Sequence, residues 1–270
     1  MGPGAVGITV AVALSVSGCH VVLAGSSCTG ATRPVFSVRN YPGGEAEIPL
    51  VPISSISGRS NVVAALKVYD LEGAVPDILR IAEGFRIVCL SNGMGFDSFW
   101  GTAADSVEYA VLTAGFRSIS PLTTSYEAGE IFCGSGGTAE KLFSGTSIQV
   151  HPVRDMEGTR WAKWYVNSII NPAGAITGLP NNRLRESSMG PVIETLSREL
   201  AASAPSQDAL SRGRMMLDDL LIHSSNMCSM LQDIQAGRPT EIDHLTGLAA
   251  DYSPAARELA GRIRELSAGT

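Results

Sequence analysis

Short apolar runs alternate with longer amphipathic segments through the first half of the chain. The runs are rich in valine and isoleucine and are bounded by glycine, serine or asparagine, which is typical of buried strands. The intervening segments have helical spacing, as in helices that connect parallel strands. We predict strands at 21–24, 62–66, 87–91 and 110–114, and helices at 5–18 and 70–83.

The pattern changes after the middle of the chain. Residues 115–150, including 126–133, predict an extra antiparallel ribbon beside the sheet. From about residue 159 strand signals stop, helical periodicity dominates, and proline or glycine marks breaks near 172, 178, 190 and 237. We therefore predict an α/β domain over residues 1–157 and an all-α domain over residues 158–270.

The glycines at the start of the first predicted helix have the spacing of a dinucleotide-binding turn. Gly2, Gly4 and Gly7 would let the backbone approach a pyrophosphate at the helix N-terminus, which makes the first domain Rossmann-like. Such a turn follows the central strand of its sheet, yet only Met1 precedes Gly2. We therefore expect the first β-strand to be missing from the given chain, either because the natural chain begins upstream or because the strand has been lost.

The first explanation is favoured on energetic grounds. Loss of a central strand would unpair the backbone of two neighbours, at a cost above the roughly 5 to 15 kcal/mol that stabilises a typical domain. The chain as given is then expected to be unstable or inactive.

Composition excludes several classes of function. The chain has 20 basic and 26 acidic residues and a net charge of -6, so it has no electrostatic footprint for nucleic acid or an anionic membrane. Its five cysteines form no CxxC pair, which argues against a disulfide framework or a zinc knuckle, and the four histidines lack ligand spacing, so no metal is expected. Residues 5–16 are apolar but too short to span a bilayer and lack a basic flank. We expect a cytoplasmic protein.

Two rows of polar residues stand out in the helical half. Lys163, Asn167 and Asn171 are four residues apart, and a helix would place them along one stripe among apolar neighbours. Asn226 and Ser229 are one predicted helical turn apart, and Glu241 follows them. Buried polar groups need partners, so we interpret the rows as two walls of a cleft for a carbonyl-bearing anion.

Four segments together resemble the ketopantoate reductase (2-dehydropantoate 2-reductase) family nearly from end to end. They are GPGAVG at 2–7, SNGMG at 91–95, KWYVNSIINPAGAITGLPNN at 163–182 and SMLQDIQAGRPTEIDHLTG at 229–247. The last two are the most specific. The resemblance implies reduction of 2-dehydropantoate to pantoate with NADPH, on the route to pantothenate and coenzyme A.

The resemblance also implies which residues bind the cofactor. The pyrophosphate would lie on the glycine turn, and the ribose would be bound across the cleft by Glu241. Lys67 and Asn92, at the ends of predicted strands, match family residues that contact the cofactor. Most family members have arginine near the position of Ser26, so this chain departs from the family there, and NAD is an alternative cofactor. NADP is still expected, because no acidic residue takes that position and Ser26, Ser27 and Arg33 could together bind a phosphate. The full predicted cofactor set is Gly2, Gly4, Ala5, Val6, Gly7, Ser26, Lys67, Asn92 and Glu241.

Lys163 is the predicted general acid, because reduction of a 2-oxo acid needs a proton at the carbonyl oxygen as hydride reaches carbon. Burial beside Trp161 and Trp164 would lower its pKa toward a useful range, and Pro172 would kink or end the helix after Asn171. Glu241 also fits a helix N-terminal box, Thr240 to Asp243. The predicted substrate-binding set is Lys163, Asn167, Asn171, Asn181, Asn226, Ser229 and Asn92.

Two alternatives remain at this stage. A related enzyme could reduce another branched 2-oxo acid or make an opine with the same lysine and asparagines. A non-catalytic helical oligomerisation protein would instead have lost nucleotide binding with the absent strand. The predicted partner is a small 2-oxo acid, and a homodimer is compatible with the resemblance.

Overall fold

The computed structural model describes residues 2–25, 28–127 and 129–268. The chain divides into two compact units, Met1–Ser91 with Asp97–Met156 and Asn92–Phe96 with Glu157–Thr270. The first unit is α/β and the second is helical, which confirms the predicted fold class. The segment Asn92–Phe96 differs from the prediction, because its contacts are with the helical unit.

Eleven strands lie in the described part of the first unit. They are β1 Leu23–Gly25, β2 Val35–Arg39, β3 Glu45–Glu47, β4 Leu50–Pro52, β5 Val62–Ala64, β6 Ile87–Cys89, β7 Val107–Leu112, β8 Gly115–Ser120, β9 Thr123–Glu127, β10 Glu130–Gly134 and β11 Gln149–Val153. They form a five-stranded sheet in the order β11-β10-β7-β6-β5, a four-stranded sheet in the order β3-β2-β9-β8, and the pair β1-β4. In the large sheet, β5, β6 and β7 are parallel, as the alternating pattern predicts.

The helices of this unit are α1 Ala5–Val16, α2 Val68–Ile81 and α3 Thr138–Phe143, with 3-10 helices at Ile53–Ser55 and Asp97–Ser106. Helix α1 is apolar on all sides and its residues from Gly7 to Leu14 are buried, as expected for a helix enclosed by sheet. Its Thr9 hydroxyl is hydrogen-bonded to the Thr124 hydroxyl at 2.9 Å, which joins α1 to the four-stranded sheet.

Gly2 lies between the carboxyl ends of β1 and β5. Its N–H donates to the Ala24 carbonyl at 2.9 Å, and a Cβ on Gly2 would come within 2.6 Å of the Ala65 carbonyl oxygen. With φ of +80°, this position requires glycine on both counts. In the described residues, β1 and β5 belong to different sheets and α1 is the first element. The missing first strand stays a prediction.

Two strand predictions are corrected. The last parallel strand begins at Val107 rather than 110, because Val107, Glu108 and Tyr109 pair with β6. The antiparallel ribbon predicted over residues 115–150 is confirmed for β8 and β9, which pair antiparallel. It does not continue through residues 126–133, since β9 and β10 belong to different sheets. The Tyr126 hydroxyl donates to the Gly129 carbonyl at 2.9 Å and accepts from the Gly129 N–H at 3.1 Å, which closes a turn where a ribbon would continue.

The second unit contains α4 Met156–Thr177, which begins at the unit boundary, and α5 Gly190–Leu200, α6 Gln207–His223, α7 Ser229–Gln235 and α8 Pro254–Ala268. Short 3-10 helices lie at Asn181–Arg183, Ala201–Ser203, Ile242–His244 and Thr246–Ala249. Side chains cap several of the α-helices. Ser206 accepts from the Ala209 N–H at 3.1 Å at the start of α6, and Ser253 accepts from the Ala256 N–H at 3.0 Å at the start of α8.

Helix α4 forms the centre of this unit, and Pro172 does not end it. The helix continues to Thr177. Proline lacks the N–H that would bond the carbonyl four residues earlier, that of Ser168. The buried Thr246 hydroxyl donates to that carbonyl at 2.7 Å, so a side chain from elsewhere in the unit satisfies the group that the proline leaves unpaired. The sequence prediction of a break failed because this donor is distant in the chain.

None of the helices in the described part of the chain has the combination of length and apolar character that crossing a bilayer requires. All five cysteines are free thiols, with Cys89, Cys133 and Cys228 buried.

Candidate active site

The predicted polar stripe lies on one face of α4. From Trp161 to Ala175 every residue is buried except Lys163 and Asn167, which are partly exposed. Asn171 continues the stripe and is 5% exposed. A helix enclosed on its other faces therefore presents an ammonium and two carboxamides along a single opening.

The environment of Lys163 makes its ammonium a stronger acid than that of an exposed lysine. Burial lowers its pKa to about 8, and the negative charge of Glu241 opposes that shift. Trp161 and Trp164, both buried, lie on either side of it in the sequence and help to exclude water. The direction and cause of this shift are those predicted from the sequence.

The turn that carries Glu241 is fixed to α4 by side chains from both segments. The Trp164 indole N–H donates to the Leu245 carbonyl at 3.2 Å, and the Thr246 hydroxyl bonds the Ser168 carbonyl. Glu241 itself is buried. The turn therefore holds a carboxylate where its charge acts on Lys163.

Glu241 does not belong to a helix N-terminal box. It precedes a 3-10 helix of only three residues, Ile242–His244, and makes no side-chain cap. Asp243 is exposed and forms an ion pair with Arg264 at 2.6 Å. The prediction failed because the spacing of Thr240 and Asp243 suggested a longer helix than these contacts allow.

Asn92 opens a segment that packs against the same turn. The Met94 N–H donates to the His244 carbonyl at 3.1 Å, and the His244 Nδ1 lies 3.3 Å from the Met94 carbonyl. Gly93 has φ of +87°, and a Cβ there would lie 2.5 Å from the His244 carbonyl oxygen. Glycine is thus required for the close approach that brings Asn92 into the unit containing Lys163.

Asn181 is bound to Asn226 through the backbone and to Ser224 through its side chain. The Asn181 N–H donates to the Asn226 carbonyl at 3.0 Å, and the Asn181 carboxamide Nδ2 donates to the Ser224 hydroxyl at 3.2 Å. Asn181 is buried, whereas Asn226 is exposed. The start of the Asn181–Arg183 helix is therefore bound to the segment that follows α6.

Asn226 and Ser229 do not share a helix, contrary to the sequence prediction. Ser229 is the first residue of α7, and Cys228 before it accepts from the Leu231 N–H at 3.4 Å. The Cys228 thiol also donates to the Asn171 carbonyl at 3.4 Å, which fixes the start of α7 against the polar stripe. This cap places Asn226 in the preceding extended segment.

The remaining predicted cofactor residues lie in the first unit. Gly4, Ala5, Val6 and Gly7 form the start of α1, where the first N–H groups of a helix have no acceptor within it. A Cβ at Gly4 would meet nothing within 4 Å, so this end of the helix is accessible to an anion.

Lys67 does not close a strand, since β5 ends at Ala64, and it is the extended residue before α2. Ser26 and Ser27, predicted with Arg33 to bind a phosphate, lie outside the described residues, and the exposed Arg33 lies 3.8 Å from Glu47. No group of three or more histidine, cysteine or acidic side chains suited to a metal occurs in the ranges that the structure describes.

Sequence reasoning missed four residues that support the site: Trp164 and Thr246, which fix the Glu241 turn, and Ser224 and Cys228, which fix the asparagines. No spacing pattern marks them, because each acts through a hydrogen bond to a segment that is distant in the sequence.

Comparison with known proteins gives consistent matches. Residues 1–134 match the family model "Ketopantoate reductase PanE/ApbA" and residues 155–258 match "Ketopantoate reductase PanE/ApbA C terminal". The chain is 26% identical to a 2-dehydropantoate 2-reductase of Archaeoglobus fulgidus over 92% of its own length and 87% of the relative's.

Two solved structures share the fold. D-mandelate dehydrogenase, solved with NADH and anilino(oxo)acetate, matches with a TM-score of 0.83 at 18% identity, covering 99% of this chain and 97% of that one. The dimeric ketopantoate reductase of Staphylococcus aureus matches with a TM-score of 0.80 at 18% identity, with the same coverage of each chain.

Proposed function

We propose that this chain, which belongs to the ketopantoate reductase family of NAD(P)H-dependent 2-oxo acid reductases, reduces 2-dehydropantoate to pantoate with NADPH. Pantoate is a precursor of pantothenate and coenzyme A, and the reaction would be the chain's contribution to that route. The observation that carries the proposal is the partly exposed Lys163 on an otherwise buried face of α4, with its pKa lowered to about 8.

Lys163 acts as the general acid in this proposal. Its ammonium donates a proton to the ketone oxygen, and its positive charge stabilises the alkoxide that develops there. A pKa of about 8 leaves most of the amine protonated at neutral pH and makes it a stronger acid than an exposed lysine. The charge of Glu241 keeps the pKa of Lys163 from falling further, so the amine is still protonated when the substrate binds at neutral pH.

Asn167 and Asn171 orient the substrate. Their carboxamides continue the stripe from Lys163, so they can donate to a carboxylate and accept from a hydroxyl without adding charge. Asn181, Asn226, Ser229 and Asn92 complete the proposed substrate set. Because α4 excludes water on its other faces, these hydrogen bonds would form in a region of low dielectric.

The residues present fit a nicotinamide cofactor. The accessible start of α1 suits a pyrophosphate, and Gly2 lies just before this helix in the sequence. A Cβ on Gly2 would lie 2.8 Å from the side chain of Leu66, the residue before Lys67. Bound NADPH supplies the hydride. NADPH is the proposed cofactor, with NADH as an alternative because Ser26 stands where most relatives have arginine.

Turnover of three 2-oxo acids tests the proposal. We expect 2-dehydropantoate to be preferred to 2-oxoisovalerate and pyruvate by well over tenfold in kcat/KM, with NADPH and NADH compared in parallel. A preference below about tenfold, or about 1.4 kcal/mol, would leave the enzyme class intact but move the substrate to another 2-oxo acid. Because a D-mandelate dehydrogenase shares this fold, the 2-oxo acid that corresponds to mandelate is added to the substrates tested.

A variant at Lys163 tests the mechanism. We expect Lys163→Ala to lose about a hundredfold or more in turnover while binding of NADPH, measured by fluorescence titration, is unchanged. Lys141→Ala is the matched control, because this lysine is exposed on α3 in the other unit. Near-full turnover of Lys163→Ala would remove the general-acid role, and absence of NADPH binding to the unaltered chain would favour a non-catalytic helical protein.

A further inference from the structure

Two buried side-chain oxygens of the described residues have no hydrogen-bond partner, the Ser168 hydroxyl on α4 and one carboxamide oxygen in the proposed substrate set. The latter is the carboxamide Oδ1 of Asn181, a side chain that is itself 5% exposed. A buried polar atom left without a partner destabilises the fold, and such atoms often mark a site that a ligand completes. The other end of the same carboxamide is occupied, because Nδ2 donates to the Ser224 hydroxyl at 3.2 Å.

Ser224 binds the amide end of the carboxamide and leaves the oxygen end open. Its hydroxyl oxygen also accepts from the Asn226 backbone N–H at 3.3 Å, so one oxygen receives a hydrogen bond from each of the two asparagines. The Ser224 carbonyl accepts from the Asn182 N–H at 2.8 Å, which fixes the serine to the same loop. With Nδ2 bound in this way, the group of the Asn181 carboxamide that is left for a ligand is an acceptor rather than a donor.

We infer that Ser224 is a positioning residue that orients the Asn181 carboxamide so that Oδ1 accepts a hydrogen bond from a hydroxyl group of the substrate. The inference rests on the proposed function, because it takes Asn181 to be a substrate residue. An acceptor selects a hydroxyl and disfavours a carboxylate, so Ser224 makes the enzyme specific for hydroxylated 2-oxo acids. A substrate without the hydroxyl leaves Oδ1 buried and unpaired, and sites of this kind discriminate strongly.

Two substrates that differ only in that hydroxyl test the inference. They are 2-dehydropantoate and 3,3-dimethyl-2-oxobutanoate, which has hydrogen in place of the hydroxyl. The unaltered enzyme is expected to prefer the hydroxylated substrate by at least about a hundredfold in kcat/KM. In Ser224→Ala this preference should fall at least about tenfold, mainly through slower turnover of 2-dehydropantoate. Ser224→Thr keeps a hydroxyl and should restore the preference.

Ser187→Ala is the matched control. Ser187 is also partly exposed, and its hydroxyl accepts from the backbone N–H two residues later, that of Met189, at 3.1 Å, as Ser224 does from Asn226. Loss of such a contact alone should leave the preference unchanged. Thermal unfolding of each variant separates a loss of stability from a change in preference.

Each outcome decides the inference. An equal decline for both substrates in Ser224→Ala would overturn it, since a reversed carboxamide or a purely structural serine gives that result. An unaltered enzyme that turns over both substrates equally would also overturn it while the proposed 2-oxo acid reductase activity stands. An unaltered enzyme that reduces neither substrate nor any other 2-oxo acid would overturn the proposed function, and the inference with it.

Discussion

Neutralising Glu241 should shift the pH dependence of the reaction to lower pH. Burial lowers the pKa of Lys163 to about 8, and the Glu241 charge is the opposing influence. In Glu241→Gln only desolvation remains, so the pKa of Lys163 falls further. Because the ammonium is the proposed proton donor, activity follows its protonated fraction and should be lost at a lower pH than in the unaltered enzyme.

The expected profile follows from a single titration. With a pKa of about 8, roughly nine tenths of Lys163 is protonated at pH 7, about half at pH 8 and about one tenth at pH 9. The kcat/KM should therefore fall about tenfold between pH 7 and pH 9, with a limiting slope of one decade per pH unit. An unperturbed lysine would keep full activity until about pH 10.

Initial rates measured from pH 6 to pH 10 provide the test, because kcat/KM reports the ionisation of the free enzyme. Asp243→Asn is the matched control. It removes a carboxylate charge only two residues from Glu241, but the Asp243 side chain is exposed and paired with Arg264. Its profile should coincide with that of the unaltered enzyme. A descending limb near pH 10 in the unaltered enzyme, or a shift to higher pH in Glu241→Gln, would refute the reasoning.

Three further predictions concern stability and can be measured by urea denaturation. Lys163→Met should raise the free energy of unfolding at pH 7 by up to about 3 kcal/mol, because the lowered pKa means that the folded state disfavours the ammonium. That gain should be complete below about pH 8 and vanish as pH approaches the unfolded pKa of about 10.5; a gain independent of pH would contradict it. Thr246→Val should lower the free energy of unfolding by about 1 to 3 kcal/mol, because the Ser168 carbonyl loses its donor. The loss should be smaller in a Pro172→Ala background, where residue 172 regains an N–H for that carbonyl. Additive effects of the two changes would exclude this link between Thr246 and Pro172. Gly93→Ala should lower the free energy of unfolding by about 1 to 3 kcal/mol more than Gly237→Ala does. Gly237 also has a positive φ, but a Cβ there would have no neighbour within 4 Å. Equal losses would exclude the steric argument.

The polar stripe on α4 could be predicted from the sequence because its information is local. A spacing of four places Lys163, Asn167 and Asn171 on one face wherever the helix lies, and the surrounding apolar residues predict burial of the rest. The lowered pKa of Lys163 followed from the same local composition. The parallel strands were found for a similar reason, since a short apolar run between turn residues is itself the signal.

The supporting contacts could not be predicted, because they join segments far apart in the chain. Thr246 and Ser168 are 78 residues apart. The Thr246 hydroxyl donates to the Ser168 carbonyl, which Pro172 cannot bond because it has no N–H. The sequence shows the proline but not the donor that compensates for it. Asn226 was assigned to a helix for the same reason, since the Cys228 cap that starts α7 looks like an ordinary buried thiol in the sequence.

The arrangement around Lys163 separates the tuning of the acid from the integrity of the fold. Trp164 and Thr246 fix the turn to α4 through the Leu245 and Ser168 carbonyls, and neither bond involves a charged group. Glu241 contributes the charge, and its side chain does not cap the 3-10 helix that follows it. A change at Glu241 can therefore alter the pKa of Lys163 while the turn stays in position, whereas a change at Thr246 acts first on stability. This separation is why the pH profile of Glu241→Gln reports on the chemistry of the lysine rather than on unfolding.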